Sequence, residues 1–384
     1  KLLSLDDLNT CIEFERMTFW ECVFNTAANK FRPVYYFILK ICYKLFLPNV
    51  ILFSVFLLFL NFVVVSTLFF VIKRITQNKY LAFTGCVMYL FSRFSYYSIT
   101  QVHGIMEQMG LLTAILILFY LYVYINEEKT GCFYLASILL FFISFIHERY
   151  MILFVLLILG IILGQKSSKR FIKLKLFLFV SAIFFTSVVI RFYKLKGGSF
   201  DGTGGTSVRQ TFSMNSLIQF FLEGILYLFG ISAGPMYLSG IEMSNVPRWV
   251  YIFNLALFIC ILFTTVNFIV SIFKDKSKTK VHIKNVMLFL SFIFLSLISS
   301  CITIRLEMRW VYTPYVGFII LLLYMLAYTN FKELNGFKNI YRVVAIIIVC
   351  AVIPMEVFFR SNWRNLYYWA HYQLYNSAYE QIVE

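Results

Sequence analysis

The sequence predicts an all-α polytopic membrane protein, and three observations carry that prediction. Of its 384 residues, 61% are hydrophobic and only 14% are charged, with a mean hydropathy of +0.80. A water-soluble domain has about 45–50% apolar and about 25% charged residues, so its surface could not be covered with this composition. Apolar stretches of roughly 18 residues or more recur along the chain, the length a helix needs to cross the hydrocarbon core. The connections between them alternate between lysine-rich and lysine-poor, as loops on the two sides of a membrane do.

The elements follow in order. Residues 1–47 read as an outer loop carrying Asp6-Asp7, a helix around 8–29, and the stretch FRPVYYFILKICYKLFLP. In that stretch Lys40 and Lys44 are four apart on an otherwise apolar helix, which predicts a helix lying in the interface with its lysines snorkelling to water. Ten spans are then expected, over 48–72, 80–97, 105–125, 132–146, 150–164, 176–193, 249–273, 286–304, 311–328 and 343–359. The fourth and fifth are short for the bilayer. The bundle thus divides into a first part, 48–193, and a second, 249–359. Between them lies a long outer loop, 194–248, and an outer tail, 360–384, follows. The chain opens on Lys1 with polar residues, so a further span is expected ahead of it, for eleven in all.

Sidedness follows from the loops. Lys73, Arg74 and Lys79, the 166–175 cluster, the 274–284 cluster, and Lys332, Lys338 and Arg342 all fall on one side, the cytoplasm by the positive-inside rule. This explains the net charge of +16 without nucleic acid. Of 18 acidic residues only Glu127, Glu128, Asp275 and Glu333 fall on that side. The outer side holds most of the acids together with Arg149, Arg209, Arg248, Arg305, Arg309, Arg360 and Arg364, a set suited to chemistry on anions. Residues 216–240 are apolar enough to cross, but one crossing there would put the 274–284 lysines outside, so a re-entrant or surface-lying element is expected. The glycine-rich 197–207 stretch lacks the GKS or GKT ending of a phosphate-cradling loop. The eight Cys have no metal-ligand spacing; only Cys11 and Cys22 share a polar region, where a disulfide is open.

Five outer elements carry candidate chemistry. Asp6-Asp7 can serve as a general base, bind a divalent cation, or simply cap a helix. In QVHGIMEQMG (101–110), Glu107 falls about one turn inside the apolar zone, where a carboxylate is costly and should face a cavity or a partner. His103 beside it is a proton carrier or an interface residue. In HERY (147–150), Glu148 and Arg149 are pinned near the membrane surface by a very short turn. In RLEMRW (305–310), Arg305 and Arg309 share a helix face and form a fork for phosphate, unless Glu307 or a headgroup pairs them. The C-terminal Trp- and Tyr-rich tail fits an aromatic belt or a sugar platform equally.

Together these residues resemble the GT-C superfamily of membrane glycosyltransferases. The likeness lies in Asp6-Asp7 followed by Phe31 to Tyr36 as the first outer loop, Glu107 at the start of a later span, and the outer arginines Arg149, Arg305 and Arg309. It covers most of the chain in topology, with short motifs, and the WWD motif of oligosaccharyltransferases is absent. The resemblance implies an inverting transferase in a bacterial plasma membrane, moving a sugar from a polyprenyl-phosphate donor to a glycan, lipid or protein acceptor on the outer face. It further implies Asp7 or Asp6 as base, Glu107 as a second acid, and Arg149, Arg305 and Arg309 on the donor phosphate. A divalent metal is left open. A polysaccharide polymerase or ligase, or a lipid-linked-sugar flippase, are the alternatives. The last should place ionisable residues and broken helices at mid-membrane, for which Arg93, Glu356, Asn61 and Asn254 are the candidates.

Overall fold

A computed structural model describes residues 12–26, 30–46, 50–164, 170–195, 202–203, 206–207, 213–229, 246–274, 276–302, 306, 310–329 and 340–363. They are almost wholly helical: α1 (12–16), α2 (Phe19–Val23), α3 (Pro33–Phe46), α4 (Val50–Thr76), α5 (Lys79–Phe91), α6 (Arg93–Thr100), α7 (Gly104–Glu127) and α8 (Thr130–Ser144). A 3-10 turn, Glu148–Ile152, leads into α9 (Leu153–Leu163), followed by α10 (Arg170–Lys194), α11 (Met214–Leu228), α12 (Arg248–Lys274), α13 (Lys276–Cys301), α14 (Tyr312–Tyr328) and α15 (Ile340–Trp363). A two-residue antiparallel pairing, Gly202↔Ser207 and Thr203↔Thr206, sits in the long loop.

Among the described residues six helices, α4, α7, α10, α12, α13 and α15, are long and apolar enough to cross a bilayer. Helices α5, α8, α11 and α14 are apolar but shorter; fifteen residues of α8 rise only about 22 Å against a core of about 30 Å. The large side chains of α10 and α12 face outward, with Phe185, Val189, Phe192, Ile252, Leu255 and Phe258 all more than half exposed. Such surfaces suit lipid, not water. Helix α14 is the opposite case. Every residue from Tyr312 to Leu326 is buried, and it packs against α4, α5, α7, α12 and α13. A helix apolar all round must be surrounded.

Each expected span falls on helix, with one break. The 80–97 span is two helices, because the chain turns extended at Ser92 (φ −63°, ψ 141°) before α6 begins. The expected helix around 8–29 is also interrupted. The chain leaves α1 at Met17, and Thr18 starts α2 with a capping box, its hydroxyl facing the Glu21 backbone while the Glu21 carboxylate accepts from Thr18 N at 2.8 Å. Lys40 does not snorkel. It is buried, and its Nζ donates to the carbonyls of Phe14 and of Met17 (3.0 Å), satisfying the end of α1. Only Lys44 reaches the surface. Cys22 is a buried free thiol, and Cys11 lies outside the described residues. For 216–240, α11 accounts for the first half; 230–245 lie outside the described residues.

Candidate functional site

One end of the bundle gathers the ionisable residues of four elements. Helix α7 begins at Gly104, so Glu107 lies in its first turn, where a carboxylate favours the helix dipole. It is 2% exposed. Its partner is Arg149 from the 3-10 turn, whose Nη2 donates to Glu107 Oε2 and also to Tyr150 Oη at 3.1 Å. Tyr150 Oη in turn meets Thr313 Oγ1 of α14 at 2.9 Å. Gly110 makes this possible: a Cβ there would lie 2.5 Å from the Tyr150 ring. The Nη1 of Arg149 is buried and has no hydrogen-bond partner among the described residues. The expectation that Glu107 faces a partner agrees with this geometry.

A second pair ties the segment ahead of α4 to the same turn. Arg32, just ahead of α3, grips Glu148 through two bonds, Nε to Oε2 at 2.8 Å and Nη2 to Oε1 at 2.5 Å. This is the bidentate fork that guanidinium and carboxylate form best. Tyr35, one turn further, meets His103 Nδ1 through its hydroxyl at 2.6 Å. The two candidates from 101–110 and the two from 147–150 therefore stand in one cluster with α3. Arg191 of α10 closes it from another side, donating to the Ser144 carbonyl and lying 5.3 Å from the Phe145 ring centre.

His147 sits between the two pairs. Its Nε2 is 3.3 Å from Arg32 Nη2, and its Nδ1 is 3.3 Å from the Arg149 backbone N, which caps the 3-10 turn. A protonated ring would aim N–H at N–H on both sides. Burial first, then the charges of Arg32 and Arg149, hold its pKa well below the ordinary 6.5. Burial would raise the Glu148 carboxyl, but Arg32 outweighs it and holds that group well below 4.5. The unfolded chain therefore binds more protons than the folded one, first at His147 and then at Glu148. The stability these groups contribute is present above about pH 6.5 and is lost as pH falls. The unfolding temperature in detergent is expected to drop between pH 7 and 5, and the His147→Gln variant to lose that part of the slope.

Five candidates, Asp6, Asp7, Arg305, Glu307 and Arg309, lie outside the described residues. Leu306 and Trp310 beside them are buried, and Ser300 Oγ donates to the Trp310 carbonyl at 2.8 Å. No group of three or more His, Cys, Asp or Glu among the described residues is placed to hold a metal ion. Sequence reasoning gave no role to Arg32, Tyr35, His147 or Arg191. Arg191 had a readable signal, a lone guanidinium near the end of an apolar span. The pairing of Arg32 with Glu148 spans 116 residues and had none.

The opposite end carries Arg74 bonded to Glu127 at 2.8 Å, with Lys129 on the same carboxylate at 2.6 Å, and Asn126 bonded to Asn285 at 2.8 Å. Within the bundle, Arg93 at the α6 start binds Glu356 of α15 through its backbone N (2.8 Å), Nε (2.9 Å) and Nη2 (3.1 Å), both side chains 2% exposed. Asn61 accepts from Tyr89, whose hydroxyl also meets that of Tyr312. No family model, curated protein or solved structure matches the chain.

Proposed function

We propose that this chain is a GT-C-type membrane glycosyltransferase that takes a sugar from a polyprenyl-phosphate donor and passes it to a hydroxyl on the non-cytoplasmic face. One observation carries the reading. Glu107, Glu148, Arg149, Arg32, His103 and His147 converge at the bundle end opposite Arg74 and Lys129, which lie where α4 and α7 end. The Arg32–Glu148 fork also fixes the segment that follows Asp6-Asp7 against the turn holding Arg149.

In this reading Asp7, or Asp6, accepts the proton of the acceptor hydroxyl as its oxygen attacks the anomeric carbon. The bond from that carbon to the donor phosphate breaks with inversion, and polyprenyl phosphate leaves. Arg149, with Arg305 and Arg309, takes up the charge growing on the phosphate oxygens, in a site where burial magnifies each such contact. The Nη1 of Arg149, buried and without a partner among the described residues, leaves one donor for that oxygen once the site opens. Glu107 holds the Arg149 guanidinium until the phosphate arrives.

The test is transfer by the reconstituted chain from a panel of polyprenyl-phosphate sugars. Asp7→Asn is expected to lower the rate by about 100-fold or more, with thermal stability unchanged. Full activity in that variant would remove Asp7 from the mechanism.

A second reading, transport of a lipid-linked sugar, is favoured by one feature: the break at Ser92 with the buried Arg93–Glu356 pair beside it. Helix α5 rises about 20 Å from Lys79 before the break, well into the core. Movement of such a lipid across liposomes without sugar transfer would favour this reading over the first.

A further inference from the structure

The first outer segment leaves a second apolar face uncovered. Helix α3 buries Tyr35, Leu39, Cys42 and Tyr43 against the bundle, yet Phe37 and Leu45 on its other side are 41% and 67% exposed. Helix α2 and its C-cap add Trp20 and Phe24, 62% and 47% exposed. The rings form a row. Phe37 meets Phe19 edge-on at 5.5 Å, Phe19 meets Trp20 at 5.2 Å, and Trp20 stacks on Phe24 at 5.9 Å. Two lysines lie against it: Lys44 Nζ is 5.3 Å from the Phe19 ring, inside the row, and Lys194 Nζ is 5.1 Å from the Phe24 ring at its end. Among the described residues neither lysine has an ion pair, and the nearby Glu21 is turned back onto Thr18 by its capping box.

The position of the row identifies its partner. Lys194 is the last residue of α10, whose outward side chains Phe185, Val189, Phe192 and Tyr193 form a lipid-facing surface. The ring row therefore continues that surface past the end of the span, where headgroups begin. Tryptophan with flanking lysines suits this layer, since the rings enter the acyl boundary while the ammonium groups stay at phosphate level. A water-exposed row of this kind would be a liability.

We propose that Phe19, Trp20, Phe24 and Phe37, flanked by Lys44 and Lys194, form a contact surface for anionic phospholipid headgroups, holding α2 and α3 on the bilayer. The proposal does not depend on sugar transfer. The whole chain, with Trp249, Trp310, Trp363 and Trp369 replaced by Phe, is reconstituted in nanodiscs so that Trp20 is the only tryptophan, excited selectively over tyrosine. Phospholipids brominated close to the headgroup are expected to quench Trp20 strongly, and aqueous iodide weakly. Charge reversal, Lys44→Glu with Lys194→Glu, is expected to remove the added quenching seen with phosphatidylglycerol over phosphatidylcholine. Iodide quenching as strong as for free tryptophan would overturn the proposal. So would shielding that appears only when two copies occupy one disc, because a second copy would then cover the row. A variant that fails to assemble would be recognised by its loss of thermal unfolding, and the milder Lys44→Gln with Lys194→Gln, expected to lose about half of the lipid preference, would replace it.

Discussion

Arg149→Ala is expected to cost about 3–5 kcal/mol of stability, the range for breaking a buried ion pair from one side. The Glu107 carboxylate, 3% exposed beside Arg149, would be left without its guanidinium. Adding Glu107→Gln removes that charge, and the double variant is expected to recover most of the loss. If the chain is the proposed glycosyltransferase, sugar transfer should not recover with it. Losing a donor aimed at a developing oxyanion lowers turnover by about 100- to 1000-fold, and neither substitution restores that donor. Thermal unfolding in detergent and a transfer assay on both variants separate the two roles. Wild-type stability in Arg149→Ala would show that the pair carries no buried charge, and restored transfer in the double variant would exclude Arg149 from phosphate binding.

Glu356→Ala is the second large effect. Its carboxylate does two things: it pairs with the Arg93 guanidinium and caps the Arg93 backbone N at the start of α6. Breaking the pair costs about 3–5 kcal/mol, and the lost cap adds about 1 kcal/mol. Arg93→Met leaves the cap in place and should cost less than Glu356→Ala, although it strands the carboxylate. The double variant Arg93→Met, Glu356→Met replaces the pair by apolar volume beside Phe359, whose ring lies 3.5 Å from the guanidinium carbon. It is expected to be far more stable than Glu356→Ala, because buried pairs often exchange for apolar side chains at little cost. If that double variant transfers sugar normally, the pair is a structural pin. If it stops lipid movement across liposomes, the transport reading gains its residue.

The helices were legible because their cause is local. An apolar run long enough for a bilayer states its own structure, so the α4, α7 and α10 stretches could be read at once. The break at Ser92 was not. Nothing in SRF reads as a helix stop, and the extended turn is held by Glu356 from 263 residues away. Lys40 failed for a similar reason. Its spacing from Lys44 suits a snorkelling pair, but the carbonyls it satisfies belong to α1, and only tertiary packing brings them there. In the site, Glu107 announced itself by its cost. A carboxylate in an apolar turn demands a partner, and HERY was the nearest outer source of one. Arg32 gave no such notice, because an arginine ahead of a proline at a helix start is ordinary on a surface.

The all-round burial of α14 bears on how the chain is built. Ribosomal synthesis releases α4, α5, α7, α12 and α13 into the membrane before α14 exists. Until residue 312 emerges, the faces of those helices that α14 covers lack their protein partner. Assembly of the whole bundle therefore waits on one late segment, and nascent chains halted ahead of it should be the form that quality-control proteases cut first.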